Sequence, residues 1–391
     1  MTAALKPVSH LAEALADAHA SETPVRVIGS GTWLDGGRPV TASGDLQVRD
    51  TAGVIEYVPG DLVITVGAGT TLEELTAITR EHNQWLALDP FGSDRGTIGA
   101  TVATASSGPL ASGVGRVRDL TLGLTLLTSD GSAVRAGGRV VKNVAGFDLV
   151  RLATGAFGTL GVITDVSLRL HARPAVDETI GVMLEAETDS ATGAATLPEF
   201  TAPMLNYLAM EIVSGQTVRQ FQPTSFSGQY WILLARVSGN MERARAQRAL
   251  LEPLGRVREF PNEVWDAVRG MDGDRSAVVR VSDAPLKLGA TLGAVQRVLD
   301  GAGLGHATFC ATPSTGRVRV AIASDGESAL RNVEKGLSTI GASVLWERLP
   351  ADCWAWLPPA ATDPVSLRIR DAFDPHHVLN RGIFGPMGGH A

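Results

Sequence analysis

Fourteen glycines crowd the seventy residues from Gly92 to Gly161. Glycine weakens helix and strand interiors because it loses the most backbone freedom on ordering. A dense cluster inside an otherwise apolar stretch therefore calls for many tight turns or a ligand approached closely by backbone. No strict period runs through the cluster, so neither a collagen helix nor a solenoid accounts for it. The whole chain holds 44 glycines in 391 residues, about 11% against a usual ~7%.

Only two cysteines, Cys310 and Cys353, are present, and neither belongs to a C-x-x-C pair. This argues against an iron–sulfur cluster, a structural zinc or a disulfide scaffold in this chain, and fits a reduced cytoplasmic setting. Net charge is −7, which argues against a nucleic-acid partner or an anionic membrane surface. No stretch reads as a signal peptide or a transmembrane helix. At roughly 150 residues per domain the length suggests two domains.

A helix is expected over residues 8–20 and a buried strand over 24–28. Residues 61–67 read as a strand, followed by a helix capped by Thr70 or Thr71 with Glu73 and Glu74 in its first turn. From Trp85 to Gly115 no regular element is expected. Asp130-Gly131 between two β-rich runs signals a hairpin, and a short helix is expected over 148–154. The domain boundary is placed near 172–176. Beyond it lie strands over 180–185, 205–213 and 229–237 and helices over 241–251 and 262–271. Six elements follow: strand 277–281, helix 286–299, strands 306–311 and 317–322, helix 327–340 and strand 343–347. That order is the split β-α-β ferredoxin-like pattern.

Three stretches carry the functional signal. Gly29-Ser30-Gly31-Thr32 follows a strand directly, where backbone N–H groups can converge on a phosphate. Leu34 stands where a third Rossmann glycine would be, so this is not an NAD fingerprint. Gly92–Asp119 combines small residues with hydroxyls at Thr97, Thr101, Thr104, Ser106, Ser107 and Ser112, and no Walker lysine follows. Its apolar Ile98 and Val102 suggest that it is packed against the body of the protein. Lys142–Thr164 brings a cation, an amide and closely spaced glycines between two β-rich segments.

In sequence order these stretches resemble the vanillyl-alcohol oxidase and p-cresol methylhydroxylase family of flavoproteins. The resemblance rests on GSGT (29–32), TIGATVATASSG (97–108) and KNVAGFDL with GTLGVIT (142–149, 158–164), and spans residues 24–171. The tail FDPHHVLNRG (373–382) is similar to that family's ending, with Arg381 in place of a proline. Within the family, the wording of 142–170 is most similar to the E-type subunits of bacterial glycolate oxidases.

The resemblance implies an α+β protein. A two-part FAD-binding domain (1–174) precedes a ferredoxin-like cap (175–391) whose tail returns to the FAD domain. It implies that Gly29, Ser30, Gly31 and Thr32 together with Thr97, Ile98, Gly99, Thr104, Ser106, Ser107 and Gly108 hold the FAD pyrophosphate. Lys142, Asn143, Gly146, Gly158 and Gly161 complete the site, and Val162 and Ile163 meet the adenine end. No histidine stands in the first loop and no cysteine before Cys310, so the FAD is expected to be non-covalent. The implied role is that of an FAD subunit oxidising glycolate to glyoxylate. Its partners would be a larger FAD-containing catalytic subunit and an iron–sulfur subunit, and any contact with the inner membrane would be made through them.

The histidine-rich metal motif of related lactate dehydrogenases is missing, and no metal site is expected. No catalytic base is identifiable. Two alternatives stay open: a self-sufficient dehydrogenase whose cap supplies Arg236, Arg280 and Arg319, and a scaffold that has kept the fold without the chemistry. His376 and His377 read as solvated surface, and Trp354 and Trp356 as one face of a strand.

Overall fold

The computed structural model describes residues 8–138, 148–184, 197, 198, 200, 206–221, 231–273, 277–323 and 326–386. Two compact units are formed. One comprises Met1–Ser107, Gly115–Arg173 and Ala355–Ala391, the other Gly108–Val114 and Pro174–Trp354.

In the first unit, strands β1 (Val25–Ile28) and β2 (Gly44–Gln47) pair in parallel. Strands β3 (Val54–Val58), β4 (Val63–Gly67), β6 (Thr121–Leu127), β7 (Ala133–Gly137) and β8 (Val162–Arg169) form an antiparallel sheet in the order β3-β4-β8-β6-β7. The short strands β5 (Gln84–Trp85) and β9 (His171–Ala172) pair separately. Helices α1 (Ser9–Ala20), α2 (Leu72–Arg80), α3 (Ile98–Thr104), α4 (Val117–Leu120) and α5 (Leu149–Ala153) complete the main body. Leu11 and Leu15 of α1, Ile98 and Val102 of α3 and Val162 and Val166 of β8 belong to one buried apolar cluster.

The expected cap of α2 is Thr71. Its hydroxyl accepts from the Glu74 N–H at 3.2 Å, and the Glu74 carboxylate accepts from the Thr71 N–H at 2.8 Å. This reciprocal box satisfies two helix-end donors at once. The Asp130-Gly131 hairpin is also present, with Gly131 at φ +82°.

Helix α3 corrects the expectation that nothing regular lies between Trp85 and Gly115. Thr97 caps it, accepting from the Ala100 N–H at 3.3 Å. Ile98, Thr101 and Val102 recur at helical spacing and are buried. Gly99 allows the helix to lie against Ala68, because a Cβ there would sit 2.9 Å from the Ala68 carbonyl oxygen. Small residues concealed a helix that packing holds together.

The second unit is an eight-stranded antiparallel sheet. Its strands are β10 (Val176–Leu184), β11 (Ala209–Ser214), β12 (Trp231–Gly239), β13 (Val257–Phe260), β14 (Ala277–Ser282), β15 (Thr308–Thr312), β16 (Arg317–Ile322) and β17 (Ser343–Arg348). Helices α6 (Met241–Leu251), α7 (Val264–Arg269), α8 (Leu288–Gly301) and α9 (Glu327–Ser338) lie between them. The sheet order is β13-β10-β12-β11-β15-β16-β14-β17. The expected six elements form one half, ordered second, third, first, fourth. The other half repeats that order in reverse, and the two join where β11 meets β15. The sequence did not announce this duplication, because β13 has only four residues and two of them are exposed.

The tail from Ala355, with α10 (Pro364–Phe373), belongs to the first unit. Val25 and Leu379 form a parallel bridge, and the Asp374 carboxylate accepts from the N–H groups of Val378 and Leu379. His376 and His377 are half-buried rather than solvated. His376 lies edge-on to His19 with ring centroids 4.5 Å apart, and His377 Nε2 lies 3.1 Å from Asp371. The segment with Trp354 and Trp356 is a 3-10 turn over Ala351–Trp356 rather than a strand.

Candidate functional site

A cleft in the first unit is bounded by three walls. One wall is the loop after β1, Gly29 to Leu34. The second is α3, and the third is the turn from Phe157 to Gly161 that leads into β8. Ten sequence-nominated residues line it: Gly29, Ser30, Gly31, Thr32, Thr97, Gly99, Thr104, Gly158, Gly161 and Ile163.

The remaining nominations lie elsewhere. Helical periodicity turns Ile98 into the core while Gly99, Ala100, Ala103 and Thr104 face the cleft. Val162 is fully buried in β8. Ser106, Ser107 and Gly108 follow the end of α3 and do not line the cleft. Lys142, Asn143 and Gly146 lie outside the described residues.

The donors of the cleft come from backbone. Among the described residues, the N–H groups of Ser30, Gly31 and Thr32 meet no acceptor, and neither hydroxyl of Ser30 and Thr32 is engaged. Gly31 adopts φ +72°, a left-handed conformation natural to glycine, and alternating hand along successive N–H groups forms an anion-binding concavity. The start of α3 offers no such donors. The Ile98 N–H donates to Thr70 O at 2.8 Å and the Gly99 N–H to Ala68 O at 2.9 Å. The helix hydroxyls are also spent, Thr101 on Thr97 O at 3.0 Å and Thr104 on Ala100 O at 2.8 Å. The sequence weighted the α3 hydroxyls, whereas the structure puts the free donors in the first loop.

Charge in the cleft is sparse. Arg26 lines it, but its guanidinium donates to both Asp45 oxygens at 3.0 and 3.2 Å. Among the described residues, none that lines it is a histidine, aspartate or glutamate.

Sequence reasoning missed Asn380, whose side chain closes the cleft. It accepts from the Val27 N–H at 2.9 Å and donates to Phe157 O at 2.7 Å, so it ties β1 to the third wall. It also accounts for Gly158, where a Cβ would approach Asn380 Nδ2 to 2.8 Å. The signal was available in the tail motif, whose asparagine this is. Trp33, Phe157 and Ile383 add apolar wall that no spacing rule indicated.

The cations nominated in the second unit are already committed. Arg236 donates to both oxygens of Asp177 at 2.7 Å. Arg280 lies 3.2 Å from Glu347. Arg319, 2% exposed, pairs with Asp272 and donates to Glu347 at 2.7 Å. Burial works to raise the Glu347 carboxyl, but the charges of Arg319 and Arg280 outweigh it and hold the group below the usual carboxylate range.

Residues 2–137 match the FAD binding domain family. The chain is 40% identical over 166 residues to the glycolate oxidase subunit GlcE of Escherichia coli (strain K12), covering 42% of this chain and 47% of that one. It is 27% identical over 266 residues to the D-lactate dehydrogenase of Archaeoglobus fulgidus, covering 67% and 58%. The chain thus spans about half the length of these curated relatives. Among solved structures it superposes on an alkyldihydroxyacetonephosphate synthase with TM-score 0.68 at 15% identity, covering 95% of this chain and 74% of that one. That likeness establishes the fold.

Proposed function

We propose that this chain, which carries an FAD-binding domain of the p-cresol methylhydroxylase type, is the FAD subunit of a complex that oxidises a 2-hydroxy acid, glycolate in the first instance. The domain extends in this reading over residues 1–174 with the tail, and the remainder serves as its cap. The observation that carries the cofactor assignment is the first loop, with three unengaged N–H groups and two hydroxyls at the edge of an apolar cleft. Such a loop suits a pyrophosphate, whose charge it meets with backbone dipoles rather than with a cation.

Ser30, Gly31 and Thr32 would hold the pyrophosphate of a non-covalent FAD. Ala100, Ala103 and Ile163 would shield its apolar surface from water, and Asn380 would fix the separation of the walls. Bound there, FAD supplies the two-electron acceptor that oxidation of a hydroxyl-bearing carbon requires. The relatives that bear the names of a glycolate oxidase subunit and a D-lactate dehydrogenase support the substrate class.

Among the described residues the cleft lining contains no carboxylate or imidazole to take the hydroxyl proton. This supports a division of labour, with the base on a larger flavin-containing partner and the electrons leaving through an iron–sulfur subunit. A cytoplasmic location fits this reading, with any membrane contact made through the partners. Among the described residues no helix is long and apolar enough to cross a membrane.

The test is purification of the chain alone and with its co-expressed partners. The isolated chain should bind FAD stoichiometrically, and glycolate should bleach the flavin only in the complex. A protein that acquires no flavin absorption on adding FAD would sink the cofactor assignment. Rapid bleaching of the isolated chain would favour a self-sufficient enzyme.

A further inference from the structure

Asn380 holds the cleft walls together, and the turn that delivers it is built around His377. The backbone is left-handed at both residues, with φ +50° at His377 and +43° at Asn380. Residues other than glycine keep that conformation where their surroundings impose it. Here the His377 N–H donates to Asp374 O at 3.0 Å, and the His377 carbonyl accepts from Arg381 Nε at 2.9 Å. The Asp374 carboxylate takes the next two N–H groups, at 3.0 and 2.8 Å. The Val25 N–H then donates to Val378 O at 2.8 Å, and the Asn380 N–H to Val25 O at 3.0 Å. His377 therefore stands one turn before the contacts that fix Asn380 on β1.

The imidazole can take a second proton at one atom. Nε2 lies 3.1 Å from Asp371 Oδ1. A carboxylate accepts and does not donate, so hydrogen-bond logic puts the proton of the neutral ring on Nε2. Nδ1 is buried and has no partner among the described residues. A proton added there would be a charged donor with no acceptor, which is costly away from water.

The charges around the ring are mixed. Arg370 of α10 is 6% exposed, and its Nε and Nη2 are buried without a hydrogen-bond partner among the described residues. Arg381 is a second cation, and Asp371 and Asp374 are the anions. On the α1 side, His19 lies edge-on to His376, and Glu22 lies 3.4 Å from His376 Nδ1. Burial first, then Arg370, hold His377 below the usual histidine range in spite of the two carboxylates. The contribution of a neutral His377 is thus complete above the unfolded-chain value near ~6.5 and is lost as pH falls through the lower folded value.

We infer that His377 is a positioning residue for the cleft, holding the turn that presents Asn380 only while it is neutral, so that acid releases Asn380 and weakens the grip on FAD. The consequence for FAD rests on the proposed function; the acid-sensitive turn rests on the buried, unpartnered Nδ1. The pyrophosphate diester of FAD stays ionised throughout, so the cofactor adds no proton dependence of its own.

Fluorescence titration of the full-length chain with FAD between about pH 7.5 and 5.5 tests it. Affinity should fall in acid by up to about tenfold, the loss expected when both bonds of the Asn380 side chain go. His377→Gln keeps a donor for Asp371 and takes no proton. It should bind like the unaltered protein at the upper pH and show no acid dependence. His377→Asn, which suits the left-handed backbone, is a second neutral variant. Asn380→Ala should bind weakly at both pH values, with the acid dependence gone. Hydrogen exchange over residues 374–381, corrected for intrinsic rates, should quicken in acid in the unaltered protein and needs no variant. Affinity that does not change with pH overturns the inference. So do neutral variants that keep the full acid dependence, and exchange that stays constant. No binding of FAD at any pH removes the functional reading, while quickened exchange in acid still upholds the turn.

Discussion

The two units build their chemistry from opposite materials. In the first, the cleft donors are peptide N–H groups released by a glycine turn, and the one lining guanidinium among the described residues, Arg26, is paired at the surface. In the second, the polar groups are side chains. Arg319 lies between Asp272 and Glu347, and Glu347 bridges onward to Arg280. A backbone site tolerates side-chain change but not the addition of a Cβ. An ionic site tolerates small shifts of backbone but not the loss of one charge, since the partners left behind are buried.

The contrast is sharpest at Arg319. Arg319→Met removes the cation and leaves two carboxylates buried, which should cost about 3–5 kcal/mol, measured as a loss of unfolding free energy in urea. A cost below about 1 kcal/mol, the range of surface pairs, would show that water replaces the guanidinium and that the ionic description is wrong. Gly99→Val drives a side chain into the Ala68 backbone and should cost about 1–3 kcal/mol. Loss of FAD on gel filtration should accompany it, and full FAD content would mean that α3 can shift without deforming the cleft.

Asn380→Ala removes both bonds that tie β1 to the turn at Phe157. FAD affinity should fall about tenfold in a fluorescence titration. Unchanged affinity would leave the first loop as the sole determinant. The smallest effect is that of pH. Glu347 is held below its ordinary range, so its contribution is complete above the unfolded-chain value near ~4.3 and is lost as pH falls through the lower folded value. Acid unfolding of the second unit should therefore steepen below about pH 4.3, and Glu347→Gln should flatten that limb.

Local signals read correctly where the cause was local. The Thr71 cap, the Asp130-Gly131 hairpin and the six-element half of the second sheet depend on neighbours in sequence. Helix α3 escaped notice because glycine, threonine and β-branched valine and isoleucine give a weak helix-propensity signal, and burial of Ile98 and Val102 packs it against the core. Asn380 is 353 residues from Val27, whose N–H it accepts, and no spacing rule spans such a distance. Arg236, Arg280 and Arg319 were attractive as cations because composition does not reveal which carboxylate a strand register will set beside each one.

By itself the glycine cluster left two explanations open, tight turns or a ligand approached by backbone. Glycine is the one residue whose missing Cβ is a local fact with a spatial consequence. The sequence did determine the cofactor, through the order and wording of three stretches and the tail. Tertiary structure alone decided which donors remain free for that ligand. A hydroxyl or guanidinium is available only if folding has brought it no partner, and partners come from anywhere in the chain. That physical difference separates Thr104, bonded within its own helix, from Ser30.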